Sequence, residues 1–166
     1  MKNIYILVVW IFLLSCNGGT NKSADQLWEE AQQYRVREYL KDSITSYKDI
    51  ISKYPDNDLS AKAQFQIADI YLNDTKDFEY AVNEFKKVVD KYYNHEVAKK
   101  SLFMIAYIYN NYLDAYSDAI VHYNLFKEKY PDDELIPSVQ YELDGLKEIQ
   151  STIDSLNSSV NIKSNI

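Results

Sequence analysis

The chain has 166 residues, 46% hydrophobic and 26% charged, a composition that suits a globular domain and excludes a disordered one. Three Gly and three Pro are too few for the turns of a many-stranded sheet, which points to an all-α fold. A formal charge of -7 argues against nucleic acid as a partner, and a single Cys excludes an intrachain disulfide or a thiolate-rich metal site.

Taken in chain order, Lys2 is followed by an unbroken apolar run, Ile4 to Leu14, that stops at Ser15 and Cys16. The run falls short of the roughly 20 residues that span a bilayer core, so it reads as the apolar segment of a signal peptide over 1–15. Leu13-Leu14-Ser15-Cys16 resembles a bacterial lipobox. The resemblance implies cleavage before Cys16 and acylation of its thiol and new amino group, and two or three acyl chains anchor stably where one is marginal. The other reading is a secretory signal cut elsewhere beside an unrelated cysteine. Residues 16–22 continue as a small, polar tether. Asn17 is not the Asp that, by the same resemblance, often retains lipoproteins at the inner membrane. The expected location is therefore the bacterial cell envelope, at the outer membrane facing the periplasm.

From residue 23 the chain repeats itself. Lys53-Tyr54-Pro55, Lys91-Tyr92-Tyr93 and Lys129-Tyr130-Pro131 recur at a step of 38 residues. The same step aligns Ser43 with Ala81 and Ala119, Ile44 with Val82 and Ile120, Tyr47 with Phe85 and Tyr123, and Ile50 with Val88 and Phe126. Spacing of i, i+1, i+4 and i+7 is one face of a helix. A second set precedes each: Phe65, Ile67, Ala68 and Tyr71 align with Phe103, Ile105, Ala106 and Tyr109, and Trp28, Ala31 and Tyr34 fit once the step is shortened by one. Each unit is two amphipathic helices, A and B, joined by a short turn.

These columns resemble tetratricopeptide repeats, which set a small residue of helix A against a small residue of helix B, with aromatics one turn after each and a closing Pro. Here they are Ala31, Tyr34, Ser43, Tyr47 and Pro55; then Ala68, Tyr71, Ala81 and Phe85; then Ala106, Tyr109, Ala119, Tyr123 and Pro131. Helices cross closely only where side chains are small, and rings fill the grooves beside the contact. Tyr93 replaces the second closing Pro, and the second and third turns carry one extra residue each. The expected fold is an all-α solenoid of three such hairpins, about 23–55, 59–93 and 97–131, plus a capping helix over 135–156, within one repeat domain spanning 23–156.

Ser23 with Gln26 forms a capping box for the first helix, Asp77 caps the fourth, and Pro137 falls in a first turn, where its missing N–H does no harm. Val139, Leu143, Leu146, Ile149, Ile153 and Leu156 then mark a long amphipathic helix whose small site has become Asp144, as suits a solenoid cap. The polar tail, 157–166, is expected to fray. The register places Lys86 in solvent.

No active site is legible, and neither a cofactor nor a metal is expected. His95 and His122 have no partners at ligand spacing, adjacent carboxylates such as Glu29-Glu30 point in different directions, and Asp132-Asp133-Glu134 suits a helix N-terminus. Of the 16 tyrosines, eight (34, 47, 54, 71, 92, 109, 123 and 130) occupy repeating core columns. Trp28, Phe65, Phe103 and Tyr141 form another column, which the resemblance places on the concave face together with Asp69, Tyr107, Asn110 and Asn111. Two readings stand: an open aromatic ladder that receives apolar or extended peptide segments, or rings packed between successive A helices.

Lipobox, Lys-Tyr-Pro junctions and the 38-residue step together resemble two envelope groups, the repeat lipoprotein of the outer-membrane β-barrel assembly machine and the periplasmic repeat protein that works with the Tol/Pal system. The chain is shorter than the first, lacks the coiled coil of the second and carries a lipobox the second does not. The expected function is a membrane-anchored scaffold for an envelope protein or peptide segment, in outer-membrane protein assembly or envelope maintenance. The alternative is a lipoprotein that binds a glycan or other solute on an aromatic face. The oligomeric state is not legible.

Overall fold

A computed structural model describes residues 21–163, with side chains described as far as Leu156. The signal peptide and Cys16 lie outside the described residues. Seven helices follow in order: α1 (Ala24–Val36), α2 (Leu40–Lys53), α3 (Asp58–Asp69), which runs on into a π-helical turn (Ile70–Asp74), α4 (Phe78–Lys91), α5 (Glu96–Asn111), α6 (Tyr116–Lys129) and α7 (Ile136–Lys163). Each helix packs on its chain neighbours, and α3 also touches α1 and α5 across hairpins. The architecture is an α-solenoid of three helical hairpins with a C-terminal helix. No described helix is long and apolar enough to cross a membrane.

Side-chain caps mark the A helices and α4, whereas Tyr39 and Ala115, which precede α2 and α6, make no side-chain cap bond. The Ser23 hydroxyl accepts from the Gln26 N–H while the Gln26 side chain accepts from the Ser23 N–H, and the Asp77 carboxylate accepts from the Tyr80 N–H at 3.2 Å. The other A helices open on a column of their own, one repeat step apart. Asn57 accepts from the Leu59 N–H at 2.9 Å, His95 Nδ1 from the Val97 N–H at 3.2 Å, and Asp133 from the Leu135 N–H at 2.9 Å. With Nδ1 accepting, the neutral His95 ring carries its proton on Nε2, which donates to Asp58 at 2.9 Å.

Every hairpin turns on one left-handed residue: Glu38 (φ 63°), Lys76 (φ 59°) and Asp114 (φ 50°). The Tyr39 N–H reaches back five residues to the Tyr34 carbonyl, whereas the Asp77 N–H reaches six to Tyr71 and the Ala115 N–H six to Tyr109. In the second hairpin the extra residue is taken up by the π turn, closed by the Thr75 N–H on the Ile70 carbonyl at 3.0 Å.

The small residues of the repeating columns lie in the interior, as close helix crossings require. Ala31, Ser43, Ala68, Ala81, Ala106 and Ala119 are all fully buried, with Tyr47, Phe85 and Tyr123 beside them. The other six repeating tyrosines are half-buried. Two expectations change. Lys86 is not in solvent: its ammonium donates to the Tyr109 hydroxyl at 3.0 Å and lies 5.4 Å from that ring's centre, because a four-carbon stem reaches across to the next helix. The last helix is longer than the expected 135–156, since α7 continues to Lys163.

Candidate functional site: the face of the A helices

Helices α1, α3, α5 and α7 are the A helices of successive units, and side chains that bridge them define one face of the stack. Arg35 on α1 is its first link. Its Nε donates to Asp74 at 2.7 Å, Nη1 to Gln66 at 2.9 Å and Nη2 to Asp69 at 2.6 Å, so one guanidinium clamps α3 and the π turn. Asp69 also accepts from Asn73 at 2.7 Å, so both of its oxygens are engaged within the protein. Asn110 makes the corresponding link on the other side, donating to Glu142 of α7 at 2.7 Å. Arg35 and Asn110 stand in one column, four residues after Ala31 and Ala106, and buried Leu72 holds that place in the second hairpin. In this column the A helices are thus joined by polar links at the two ends of the stack and by buried Leu72 in the middle.

The aromatic column is anchored inside each hairpin. Trp28 meets Tyr47 edge-on at 5.2 Å, Phe65 meets Phe85 edge-on at 5.2 Å, and Phe103 meets Tyr123 at 5.8 Å and Phe126 at 6.1 Å. All three column residues are half-buried. Tyr141 is 80% exposed, since among the described residues no B helix follows α7 to receive it. Around α5 the rings run on toward solvent. Phe103 stacks with Tyr107 (6.3 Å, 18°), Tyr107 meets Tyr112 edge-on at 6.0 Å, and Tyr112 stacks on Phe78 (4.4 Å, 14°). Tyr112 is 44% exposed, and Asn111 beside it is exposed, its amide turned back to the Tyr107 carbonyl at 3.0 Å. The structure therefore brings Phe103, Tyr107, Asn110 and Asn111 together on α5, while Asp69 belongs to the Arg35 clamp and Tyr141 stands apart.

Electrostatics follow burial here. Desolvation pushes the Tyr47 phenol up to about 12, with Arg35 pulling it down and Asp69 pushing it up. Burial pushes the Tyr123 phenol up as well, aided by Glu142 and Tyr107. The hydroxyls of Tyr47 and Tyr123 are buried with no hydrogen-bond partner among the described residues, and Phe85 fills the same column without one. Glu84, 7% exposed, is satisfied by the Gln64 amide at 2.6 Å and the Lys87 ammonium at 2.6 Å. Among the described residues no group of three or more His, Cys, Asp and Glu is placed to hold a metal ion.

Residues 62–94 and 100–133 match the family model of the tetratricopeptide repeat. The second and third hairpins are thus similar to tetratricopeptide repeats. No curated protein matches the chain. Such repeats generally bind other proteins or peptides, and the aromatic run on α5 lies inside the matched stretch of the third repeat.

Three elements of this face escape sequence reasoning. Arg35 joins residues of a different hairpin and shares its column with Leu72 and Asn110, which leaves no periodic signal. Tyr112 falls at a helix end, outside the repeating columns, and Phe78 aligns with Leu40 and Tyr116 at the starts of the B helices, which does not signal its contact with Tyr112. The His95 cap is visible only once Asn57, His95 and Asp133 are aligned at the repeat step.

Proposed function

We propose that the protein is a lipid-anchored scaffold of the bacterial cell envelope that holds an envelope protein, or an extended peptide segment of one, on the face of its A helices. The observation that carries this reading is the ring path from buried Phe126 through Phe103 and Tyr107 to exposed Tyr112, edged by Asn110 and Asn111. Rigid rings present contact area at little entropic cost, and neighbouring amides satisfy a peptide backbone. Tetratricopeptide repeats supply the framework and Cys16 the anchor, at the outer membrane facing the periplasm. Outer-membrane protein assembly or envelope maintenance is the setting that the lipobox and repeat spacing together suggest.

The test is affinity capture from detergent-solubilised envelope with the wild type and with Asn111→Ala/Tyr112→Ala, both monitored by thermal melting. The expected result is a stoichiometric protein partner that the folded double variant loses. Capture of no protein, together with a melting shift on adding envelope glycans, would replace the scaffold by a glycan- or solute-binding lipoprotein. For the anchor, mass spectrometry of the mature wild type is expected to find an acylated Cys16 at its N-terminus, lost in Cys16→Ser. An unmodified wild type overturns that part alone.

A further inference from the structure

α7 has 28 residues where the other helices have 12 to 16, so at about 1.5 Å per residue it reaches well past the body of the stack. Its first half is an ordinary solenoid helix, with Val139, Leu143 and Leu146 buried in the core cluster that also holds Tyr123 and Phe126. Beyond Leu146 the apolar positions continue on the same side at spacings of three, four and three, as Ile149, Ile153 and Leu156, which are 39%, 37% and 60% exposed. The overhang is poor material for a free helix. Ser151, Thr152, Ser155, Asn157, Ser158, Ser159 and Asn161 all disfavour helix, and about 15 residues is a length at which even alanine-rich helices are marginal alone in water. A helix there needs its apolar side covered.

We propose that this overhang is a self-association surface, on which the same stripe of a second copy of this chain packs antiparallel. Charge selects the occupant. Residues 149–163 contain one acid, Asp154, and one base, Lys163, whereas the chain as a whole carries -7. Two copies repel each other over most of their surface and meet without repulsion here, and a strongly basic partner finds no counter-charge on this segment. Charge also selects the orientation, since parallel overhangs set two acidic bodies side by side and antiparallel ones send them to opposite ends. An antiparallel pair centred on Ile153 faces Ile149 with the partner copy's Leu156 and Ile153 with its own equivalent, as two-fold symmetry requires. The stripe is short, and its contact area falls below the roughly 1,200 Å² of standard stable interfaces, so the association is weak and concentration-dependent.

The experiment is cysteine cross-linking of the full chain in intact cells with a short, permeant bis-maleimide. The wild type, whose single cysteine is Cys16, sets the background. Ile153→Cys is expected to give a homodimeric adduct, identified by mass, at least tenfold above that background. Ser151→Cys, on the opposite side of α7, stays at background, and adding Leu156→Asp to Ile153→Cys returns it there. The proposal is overturned if Ile153→Cys is labelled by a mono-maleimide yet yields no dimer, if Ser151→Cys cross-links equally, or if the adduct contains a different protein.

Discussion

Helices α5 and α7 share one register and meet opposite fates. Phe103 on α5 packs against Tyr123 and Phe126, and Ala106 is fully buried at the crossing with α6. Their counterparts one step on, Tyr141 and Asp144, stand in solvent, Tyr141 at 80% exposure and the Asp144 side chain at 60%. The Asp144 carboxylate is occupied by local contacts with Gln140 and Lys147. In a solenoid, then, the helix that follows sets the environment of a column. An aromatic there is core when helix B comes next and free surface when it does not.

Truncating the ring gives the largest effect with which to break this comparison. Phe103→Ala is expected to cost about 3 kcal/mol, at the low end for a large aromatic because Phe103 is only half-buried. Tyr141→Ala should stay within about 0.5 kcal/mol. Denaturant melts followed by circular dichroism check both, and equal midpoints would mean that α7 packs as α5 does. Next in size is the crossing itself. Ala106→Leu has no room for added methylenes and should cost about 1–3 kcal/mol, whereas Asp144→Leu should leave the midpoint nearly unchanged. A loss of stability in Asp144→Leu would reveal a covered face.

The same comparison separates what the sequence makes legible from what it does not. The small-residue columns are legible because van der Waals exclusion at a crossing acts on residue size alone, and size repeats: Ala31, Ala68 and Ala106 against Ser43, Ala81 and Ala119. The extra residue of the second turn can be counted, but its π form cannot, since the choice between a wider turn and a wider helix rests on how Ile70 and Leu72 are buried. Side-chain reach is also lost. The register fixes the direction of Lys86 but not the span of its stem to Tyr109. On the candidate face, the positions Phe103, Tyr107, Asn110 and Asn111 follow from the repeat. The capture of Asp69 by Arg35 depends on two helices from different hairpins, which single-chain periodicity does not encode.

A smaller effect sharpens the account of the ring beneath Phe103. The Tyr123 hydroxyl is buried without a partner among the described residues, while Phe85 fills the same place in the second hairpin. An unmet buried polar group costs roughly 1–3 kcal/mol, partly regained when the group is deleted without changing shape. Tyr123→Phe is therefore expected to stabilise the protein by about 1 kcal/mol, read as a higher melting midpoint at an unchanged denaturant slope. A destabilised Tyr123→Phe would mean that the hydroxyl has a bonded partner in solution.

The smallest expected effect concerns the ion pair between Lys99 and Asp133, which ties α5 to the start of α7. Lys99 hydrogen-bonds the Asp133 carboxylate, and with the Leu135 N–H it outweighs the opposing pull of burial, so the carboxyl is held below its ordinary value of 3.8. A depressed folded-state value means that the native state holds its proton less tightly than the unfolded chain. The contribution is then fully present above the ordinary carboxylate range and is lost as pH falls through the folded value. Its size at neutral pH is small, because the Lys99 end is a third exposed and screened by solvent. Asp133→Asn keeps an acceptor for the Leu135 N–H while removing the charge, so it isolates the ion pair from the cap. The wild type should melt slightly above this variant at pH 7, and the gap should close as pH falls from about 4 toward 2. A gap that persists unchanged into acid would assign the difference to the cap and leave α7 joined to α5 through Asn110 and Glu142 and through its buried stripe.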